Sequence, residues 1–365
     1  MTSHKNSTST IQIVAPARIC LFGDHQDYLG LPVIACAIDR QISLIAKPNT
    51  SKEFIFTLPD INSQRSFSID ADFEDLQTGD FFASVLRRVK KYGCIPNLGY
   101  SITIQGNIPV NAGVSSSSAI VVAWVSFLLK TFGCNREITP EFISLVAYEA
   151  EVLEHNSPGG KMDQYSIGIG NIIFIETGDH FSYQIIGDEM EGLILGESGI
   201  LKDTLGLLSS IKTNALEAIK IISDKVPEFI IETATLKDFE NYSHLLSETL
   251  KPYFYAAIQN HLITQKALVE LSKEKLNLQV IGTLMNEHHT ILSDDLKITV
   301  PRIDAMIEAA LAAGAYGAKI VGSGGGGCIV AVSPDDKKKE IIQAIKQAGG
   351  KDAYEVLVAK GVHKI

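Results

Sequence analysis

Residues 109–129 read PVNAGVSSSSAIVVAWVSFLL, and this stretch constrains the fold more than any other part of the sequence. The run after the serines is apolar around most of its surface, which predicts a buried helix from Ser116 to Phe132. Gly133 is a suitable stop for that helix. Hydroxyl groups at the start of a buried helix need polar partners. The rest of the sequence must therefore indicate what these serines bind.

The segment GVSSSSA has the properties of a phosphate-binding loop. Gly113 permits close approach of the backbone, and a helix N-terminus presents free N–H groups and a positive dipole end. Serine hydroxyls add donors and can also bind Mg²⁺. These features predict a binding site for the phosphates of a nucleotide. A serine-rich helix cap without a ligand is the alternative that these residues leave open.

Two other phosphate-binding devices are excluded. The sequence has no GxxxxGK[ST] loop. The spacing GxGxxG occurs at Gly322, Gly324 and Gly327, but the segment CIVAV that follows it predicts a strand. A dinucleotide-binding loop needs a helix there, because the pyrophosphate sits on the helix N-terminus.

The remaining chain predicts an α+β protein with strands at both ends and a helical middle. We expect two domains, with a boundary near residue 190 that separates 11–190 from 191–365. The predicted elements are strands and turns over 11–110, a helix from Pro140 to His155, helices over 203–227, 235–248 and 252–291, a helix that starts near Pro301 and ends at Gly314, strand–glycine turn–strand over YGAKIVGSGGGGCIVAV, a lysine-rich helix over about 336–347, and a last strand, AYEVLVA.

Composition narrows the class of partner. The 365 residues carry a formal net charge of −10, which argues against a nucleic-acid binder or a binder of anionic membranes. The polar N-terminus MTSHKNSTST lacks a signal-peptide core, and the longest apolar run is too short to span a bilayer. Five scattered cysteines without a CxxC pair indicate a reducing compartment, so we expect a cytoplasmic protein. The cysteines are Cys20, Cys36, Cys94, Cys134 and Cys328.

Three stretches, in this order, resemble the motifs of the GHMP kinases, the family of galactokinase, homoserine kinase, mevalonate kinase and phosphomevalonate kinase. APARICLFGDHQDYLGLPVIACAID (15–39) resembles the N-terminal substrate motif. PVNAGVSSSSA (109–119) is similar to the phosphate-loop motif P-x-x-x-G-L-[SG]-S-S-A. KIVGSGGGGCIVAV (319–332) is similar to the C-terminal glycine motif. The resemblance covers nearly the whole chain.

Two further stretches resemble the galactokinase branch. GGKMDQYSIGIGNIIFIE is similar to the galactokinase segment that carries the catalytic base, usually CGIMDQ. The stretch from LMNEHH to the glycine loop resembles the galactokinase C-terminal helix pair. The chain departs from that branch at positions near the substrate, since it reads GDHQDYL where galactokinases usually read GEHTDYN.

The resemblance implies a fold and an activity. The fold would have an N-terminal α/β domain like ribosomal protein S5 and a C-terminal ferredoxin-like α+β domain. The activity would be transfer of a phosphoryl group from ATP, with Mg²⁺, to the anomeric hydroxyl of a small-molecule sugar. The alternatives are a mevalonate-type kinase, a uronic-acid or arabinose kinase, and a non-catalytic sugar sensor. We make no prediction about the oligomeric state.

The resemblance also assigns site residues. Asp163 would be the catalytic base, and Arg18 would hold it ionised and stabilise the transferring charge. Ser117 and Glu151 would bind Mg²⁺, with Glu149 and Glu154 as rival carboxylates on the same helix. The remaining assignments are Asp24, His25, Asp27 and Gly160 for the substrate, and Gly113, Ser115, Ser116, Ser117, Ser118, Gly322, Gly324, Gly325 and Gly326 for ATP.

Charge indicates the kind of substrate. Asp24 and Asp27 would place two negative charges beside it, which suits the hydroxyls of a polyol and repels an anion. Lys161 is the one basic residue that could serve an anionic substrate such as mevalonate. The pair His288–His289 is interpreted as helix surface rather than as a metal site.

Overall fold

The computed structural model describes residues 9–201 and 204–365, and over these ranges the chain forms two β-sheets with helices packed on them. In the larger sheet the strands run in the order β12-β1-β2-β5-β3-β4, and β6 and β7 extend it from β2. The smaller sheet has the order β11-β8-β10-β9. The strands are β1 Ile11–Phe22, β2 Val33–Asn49, β3 Glu53–Leu58, β4 Ser63–Ser68, β5 Gly99–Gly106, β6 Ile172–Glu176, β7 Ser182–Gly187, β8 Leu193–Glu197, β9 Gly317–Val321, β10 Cys328–Val332, β11 Asp352–Glu355 and β12 His363–Lys364.

In the sequence, the first four α-helices lie between strands of the larger sheet and the other six lie between strands of the smaller sheet. None of the described helices has the length and apolar character needed to cross a membrane. The α-helices are α1 Phe81–Lys91, α2 Ser116–Phe132, α3 Pro140–Tyr148, α4 Met162–Ile169, α5 Thr204–Lys225, α6 Leu236–Tyr242, α7 Lys251–Leu271, α8 Leu278–Thr290, α9 Pro301–Ala312 and α10 Lys338–Gln347. Two π turns, Glu149–Leu153 and Ile291–Asp295, follow α3 and α8.

Helix α2 is the central helix of the core that forms on the larger sheet. It packs on β1 and β2 and against α1, α3 and α4, and its middle is buried from Ser118 to Leu129 except at Ile120. The Trp124 ring stands edge-on to Phe54 and Phe56 at centroid distances of 4.9 and 5.0 Å. This burial holds the serine-rich start of the helix in a fixed place.

The pairing of β1 with β2 is irregular just before Arg18, where β2 carries the two extra residues Asp39 and Arg40. Pro16 has no N–H to donate to a neighbouring strand, and the pairing with β2 shifts register between Pro16 and Ala17. Bulges of this kind re-aim side chains at the edge of an active site. Here the bulge of β2 lies opposite Pro16 and Ala17, directly before Arg18.

Several predicted boundaries are wrong. The predicted helix over 252–291 is two helices, because the Asn277 side chain caps the start of α8 by accepting from the N–H groups of Gln279 and Val280. Helix α1 lies in a region predicted as strands and turns. Its N-cap is Asp80, whose side chain accepts from the N–H of Ala83.

Three further differences concern helix ends and burial. The helix predicted over Pro140–His155 changes to a π turn after Tyr148. The helix predicted over 235–248 ends at Tyr242, and the start predicted at residue 203 lies outside the described residues. His288 is fully buried, so its interpretation as helix surface is wrong.

The α+β class with strands at both ends is confirmed. Strand β8, the first of the smaller sheet, begins at Leu193, close to the predicted domain boundary, although the division between 11–190 and 191–365 itself stays a prediction. The last strand, β12, leaves the second half of the chain and pairs with β1 at Ile13 and Val14. The larger sheet is therefore built from both ends of the chain.

Candidate active site

Arg18 and Asp163 form an ion pair between β1 and the first turn of α4. The Nε atom of Arg18 donates to Asp163 Oδ1 at 2.8 Å, and an η nitrogen of the same guanidinium donates to the Gly113 carbonyl. Although burial acts to lower the pKa of Arg18, the Asp163 carboxylate outweighs it and raises that pKa above its ordinary value. The Arg18 side chain is 5% exposed and that of Asp163 is 30% exposed, so the carboxylate can be reached from the cavity.

Ser115 supplies a second donor to the same carboxylate. Its hydroxyl donates to Asp163 Oδ2 at 2.6 Å. Ser115 precedes α2 in a left-handed conformation (φ 61°) and makes no side-chain cap. The first of the four serines therefore binds the predicted base, and it does not cap its own helix.

Ser118 binds the other predicted carboxylate. Its hydroxyl donates to Glu151 Oε1 at 3.0 Å, and the Gln164 side-chain amide donates to Glu151 Oε2 at 2.7 Å. Burial raises the pKa of Glu151 to about 7 against the opposing effect of these bonds. When Pro109 and Gly113 are aligned with the phosphate-loop motif, Ser118 stands at the motif's alanine, so this contact is a departure of this chain.

Asp24 is held in a buried ion pair. Lys319 Nζ donates to Asp24 Oδ2 at 2.6 Å and to the Cys20 carbonyl at 3.0 Å, and the N–H of Gly322 donates to Asp24 Oδ1 at 3.0 Å. Burial alone would raise the pKa of Asp24, but Lys319 and these bonds bring it below its ordinary value. The argument that Asp24 carries an uncompensated negative charge to the substrate is therefore wrong.

Asp27, unlike Asp24, forms no ion pair with a lysine or arginine in the part of the chain that the structure describes. Its carboxylate accepts from the N–H of Tyr28 at 2.9 Å. Burial, with the nearby Asp163, raises its pKa to about 6. A Cβ atom on Gly160 would lie 2.1 Å from Asp27 Oδ2, so any other residue at this position would displace the carboxylate. His25 Nδ1 lies 3.0 Å from the Tyr28 hydroxyl.

These groups line one cavity of about 470 Å³, a size suited to a small ligand. Both predicted phosphate loops reach it, because Ser117 and Ser118 lie on one wall and Gly322 and Ser323 lie on another. The predicted site residues that line it are Arg18, Asp24, His25, Asp27, Ser117, Ser118, Glu151, Gly160, Asp163 and Gly322. The predicted ATP residues outside its lining are Gly113, Ser115, Ser116, Gly324, Gly325 and Gly326.

Several lining residues were absent from the predicted site. Gln164 could have been found, because it follows Asp163 in the segment GGKMDQ. Lys319, which holds Asp24 from outside the lining, is the first residue of the glycine motif. Four more stand within the quoted motifs: Tyr28, Gly159, Met162 and Ser323. The sequence did not indicate the rest, which reach the cavity through tertiary packing: Thr78, Gly79, Phe81, Val152, His155, Asn156, Ser157, Pro158 and Leu208.

The residues at the start of α2 fit a magnesium ion that arrives with phosphates. The described residues contain no group of three or more His, Cys, Asp or Glu side chains that could hold a metal by themselves. Mg²⁺ in phosphate-transferring enzymes is held by one or two carboxylates, with substrate phosphates and water completing its octahedron. Ser117 is exposed at the cavity wall beside the buried Glu151, and this donor set matches that requirement.

Comparisons with known proteins agree with the fold and the order of the motifs. The galactokinase galactose-binding signature matches residues 3–48, the GHMP kinases N-terminal domain matches 80–171, and the GHMP kinases C-terminal domain matches 266–351. A crystal structure of Lactococcus lactis galactokinase complexed with galactose superposes with a TM-score of 0.87 at 22% identity, covering 98% of this chain and 96% of that one. The two-domain fold class is thereby confirmed.

Similar curated proteins include mevalonate kinases and galactokinases. A mevalonate kinase from Thermococcus sibiricus is 30% identical over 345 residues, covering 92% of each chain. A galactokinase from Pasteurella multocida is 28% identical over 372 residues, covering 97% of this chain and 94% of the relative. The cavity and the two loops thus belong to a small-molecule phosphotransferase that uses ATP and acts on an alcohol group. The chain is a member of the GHMP kinase family.

Proposed function

We propose that the protein is a sugar 1-kinase that phosphorylates the anomeric hydroxyl of an uncharged monosaccharide, with galactose as the first candidate. The charge of the cavity carries this proposal. Among the described residues that line the cavity, Arg18 is the one lysine or arginine, and it is already paired with Asp163. These lining residues offer no second lysine or arginine to a carboxylate or phosphate on the substrate, whereas Asp27 can accept hydrogen bonds from sugar hydroxyls.

The match to the galactose-binding signature supports the same substrate class. It spans residues 3–48 and so includes His25 and Asp27. Lys161, the basic residue that could have served an anion, lies outside the cavity lining. Its ammonium group sits over the Phe181 ring, 4.3 Å from the centroid.

The geometry at Asp163 suits a general base. One carboxylate oxygen accepts from Arg18 and the other from Ser115, which fixes the plane of the group and stabilises its ionised form. A sugar hydroxyl beside the exposed edge of Asp163 would give up its proton to that carboxylate. Arg18 stays charged throughout and offsets the negative charge of the transferred phosphoryl group.

The phosphates of ATP would lie between the start of α2 and the glycine loop. Free N–H groups at the helix start would donate to phosphate oxygens. Gly322 also lines the cavity, where its φ of 82° favours glycine and the missing side chain leaves room for a phosphate. Ser117 and Glu151 would hold the Mg²⁺, which supplies positive charge to the phosphates when it is bound. A reducing, cytoplasmic setting stays our expectation and is supported by the five scattered cysteines, four of which are buried.

A mevalonate-type kinase is the second candidate, because the Thermococcus sibiricus relative at 30% identity is a mevalonate kinase. The two candidates differ in substrate charge. An anion would require a cation in the cavity that the lining residues do not provide.

A coupled ADP-release assay on the purified protein tests the proposal. The panel contains galactose, other neutral hexoses and pentoses, uronic acids, heptose phosphates and mevalonate. We expect kcat/KM to be highest for a neutral sugar, with product phosphorylated at the anomeric oxygen. A clear preference for mevalonate or a uronic acid would refute the proposed substrate class.

Asp163→Asn serves as the matched mechanistic variant. It keeps the shape of the side chain and removes the base, so turnover should fall by about 100-fold or more. Binding of a fluorescent ADP analogue should stay within about twofold of the wild type. Full activity in this variant would remove Asp163 from the role of base.

A further inference from the structure

The π turn after α3 sets the direction of three glutamates. Within Glu149–Leu153 the hydrogen bonding shifts from i→i+4 to i→i+5, and the N–H of Glu154 donates to the Glu149 carbonyl at 3.0 Å. Residues five apart lie on one side of such a turn, whereas on an α-helix they diverge. Glu149 and Glu154 therefore share one face, and Glu151, two residues on from Glu149, projects from the other.

Helix α1 supplies the partners of Glu154. Arg88 Nη2 lies 2.6 Å from Glu154 Oε1, Lys91 Nζ lies 3.3 Å from the same oxygen, and Arg87 Nη2 lies 3.3 Å from Oε2. The Glu154 side chain is only 5% exposed. Three cations from a single helix thus hold one buried carboxylate at the end of the turn.

Glu149 is held at the start of the same turn. The Tyr92 hydroxyl, just after α1, lies 2.9 Å from each carboxylate oxygen of Glu149. Arg88 Nε lies 3.7 Å from Glu149 Oε2. Arg88 therefore contacts the glutamates at both ends of the turn, and Tyr92 contacts the first.

Glu151 lies between Glu149 and Glu154 in the turn, and its side chain projects into the cavity. Its oxygens accept from Ser118 and Gln164, and it is the one of the three glutamates that lines the cavity. A return of the turn to regular α-helical hydrogen bonding would rotate Glu151 relative to Glu149. The contacts from α1 oppose that change, because they require Glu149 and Glu154 to stay on one face.

We propose that Arg88 and Tyr92 are positioning residues that hold the π turn and so aim Glu151 at the metal of the phosphate-transfer site. The inference rests on the proposed function, in which Glu151 binds Mg²⁺. Neither Arg88 nor Tyr92 lines the cavity, and both act through Glu149 and Glu154. Partners that orient a metal ligand in this way commonly change metal affinity by about 10–100-fold when they are removed.

The test uses Tyr92→Phe, which deletes one hydroxyl, and Arg88→Met, which deletes the cation. The readout is the affinity of the protein–ADP complex for Mn²⁺, measured by electron paramagnetic resonance titration, together with ADP affinity in EDTA. We expect each variant to weaken Mn²⁺ binding by about tenfold or more, with metal-free ADP binding within about twofold of the wild type. Unchanged Mn²⁺ affinity in Tyr92→Phe would overturn the inference.

Tyr354→Phe is the matched control. The Tyr354 hydroxyl also donates to a glutamate, Glu197 Oε1, at 2.6 Å, but it does so between strands of the smaller sheet. The control should bind Mn²⁺ like the wild type. If Tyr92→Phe and Tyr354→Phe weaken Mn²⁺ binding equally, the cause is a general loosening of the fold. The inference that Tyr92 positions Glu151 would then be wrong.

A double-mutant cycle separates this inference from the proposed metal role. If Arg88 acts through Glu151, then Arg88→Met/Glu151→Gln should bind Mn²⁺ no more weakly than Glu151→Gln alone. Additive losses would overturn the positioning role and leave the metal role of Glu151 intact. Wild-type Mn²⁺ affinity in Glu151→Gln would remove the metal role itself. Arg88→Lys, which keeps the charge, should recover part of the affinity lost in Arg88→Met.

Discussion

At the scale of single residues, the pair Asp24–Lys319 joins two motifs that are 295 positions apart in the sequence. Both side chains are almost completely buried, at 1% and 0% exposure. An ion pair with so little contact with water depends on its partner, because removal of one member leaves a buried charge without compensation. The pair therefore ties the turn of the substrate motif to the start of the glycine loop.

Lys319→Met is expected to lower the free energy of unfolding by about 3–5 kcal/mol, because it leaves the Asp24 carboxylate buried and uncompensated. Asp24→Asn/Lys319→Met should recover much of this loss, since an asparagine oxygen can still accept from the N–H of Gly322. Urea unfolding of the wild type, the single variants and the double variant measures both effects. A double variant as unstable as the sum of the single variants would contradict the compensation.

The site residues differ in how far the sequence could reveal them. Arg18 and Asp163 were predictable because each stands in a motif that resembles a known family, and the structure brings them to 2.8 Å. The contact from Ser115 to Asp163 depends on a left-handed backbone at Ser115, which four adjacent serines do not indicate. The partner of Asp24 could not be deduced, because no local pattern links positions so distant in the chain.

At the scale of elements, hydrophobic periodicity predicted the buried helices better than the amphipathic ones. Helix α2 begins and ends at the predicted residues, Ser116 and Phe132. Helix α1 was missed because its neighbours are strands and its apolar residues alternate with a basic surface. The π turn after α3 has no sequence signature. That Glu149 and Glu154 face α1 rather than the cavity is therefore known only from their contacts in the structure.

Substitution of Trp124 shows how much the aromatic cluster around α2 contributes to the stability of the fold and to ADP binding. The Trp124→Ala variant should lose about 3–5 kcal/mol of unfolding free energy, because a cavity replaces a large buried ring. ADP affinity measured at 10 °C should stay within about twofold of the wild type, since Trp124 lies eight residues, or about 12 Å, from the helix start. Circular dichroism during denaturation gives the stability. A stability equal to that of the wild type would show that the aromatic cluster does not hold α2.

At the scale of the whole molecule, histidine burial makes stability depend on acidity. Neither ring nitrogen of His288 has a hydrogen-bond partner among the described residues. Burial, with the nearby Lys319, lowers its pKa to about 3. Since the unfolded chain takes up a proton near pH 6.5 and the folded chain does not, this histidine favours the folded state above that pH. Its contribution is lost as the pH falls from about 6.5 towards 3.

His288→Leu should therefore flatten the acid side of the stability profile. Between pH 7 and pH 4.5 the variant is expected to lose less unfolding free energy than the wild type, because the unfolded variant has no imidazole to protonate at this position. Asp27 acts in the opposite direction, since its pKa is raised to about 6, but it is common to both proteins and cancels in the difference. The measurement is urea unfolding of both proteins between pH 7 and pH 4.5. Equal losses of unfolding free energy in the two proteins would disprove the assignment to His288.

The pairing of β12 with β1 also has a consequence for protein synthesis. Ile13 and Val14 are translated long before their partners, Lys364 and His363. The N–H of Ile365 closes the same edge by donating to the Gln12 carbonyl. The larger sheet therefore cannot be completed until β12 has left the ribosome, and until then the edge of β1 stays open to pairing with other chains.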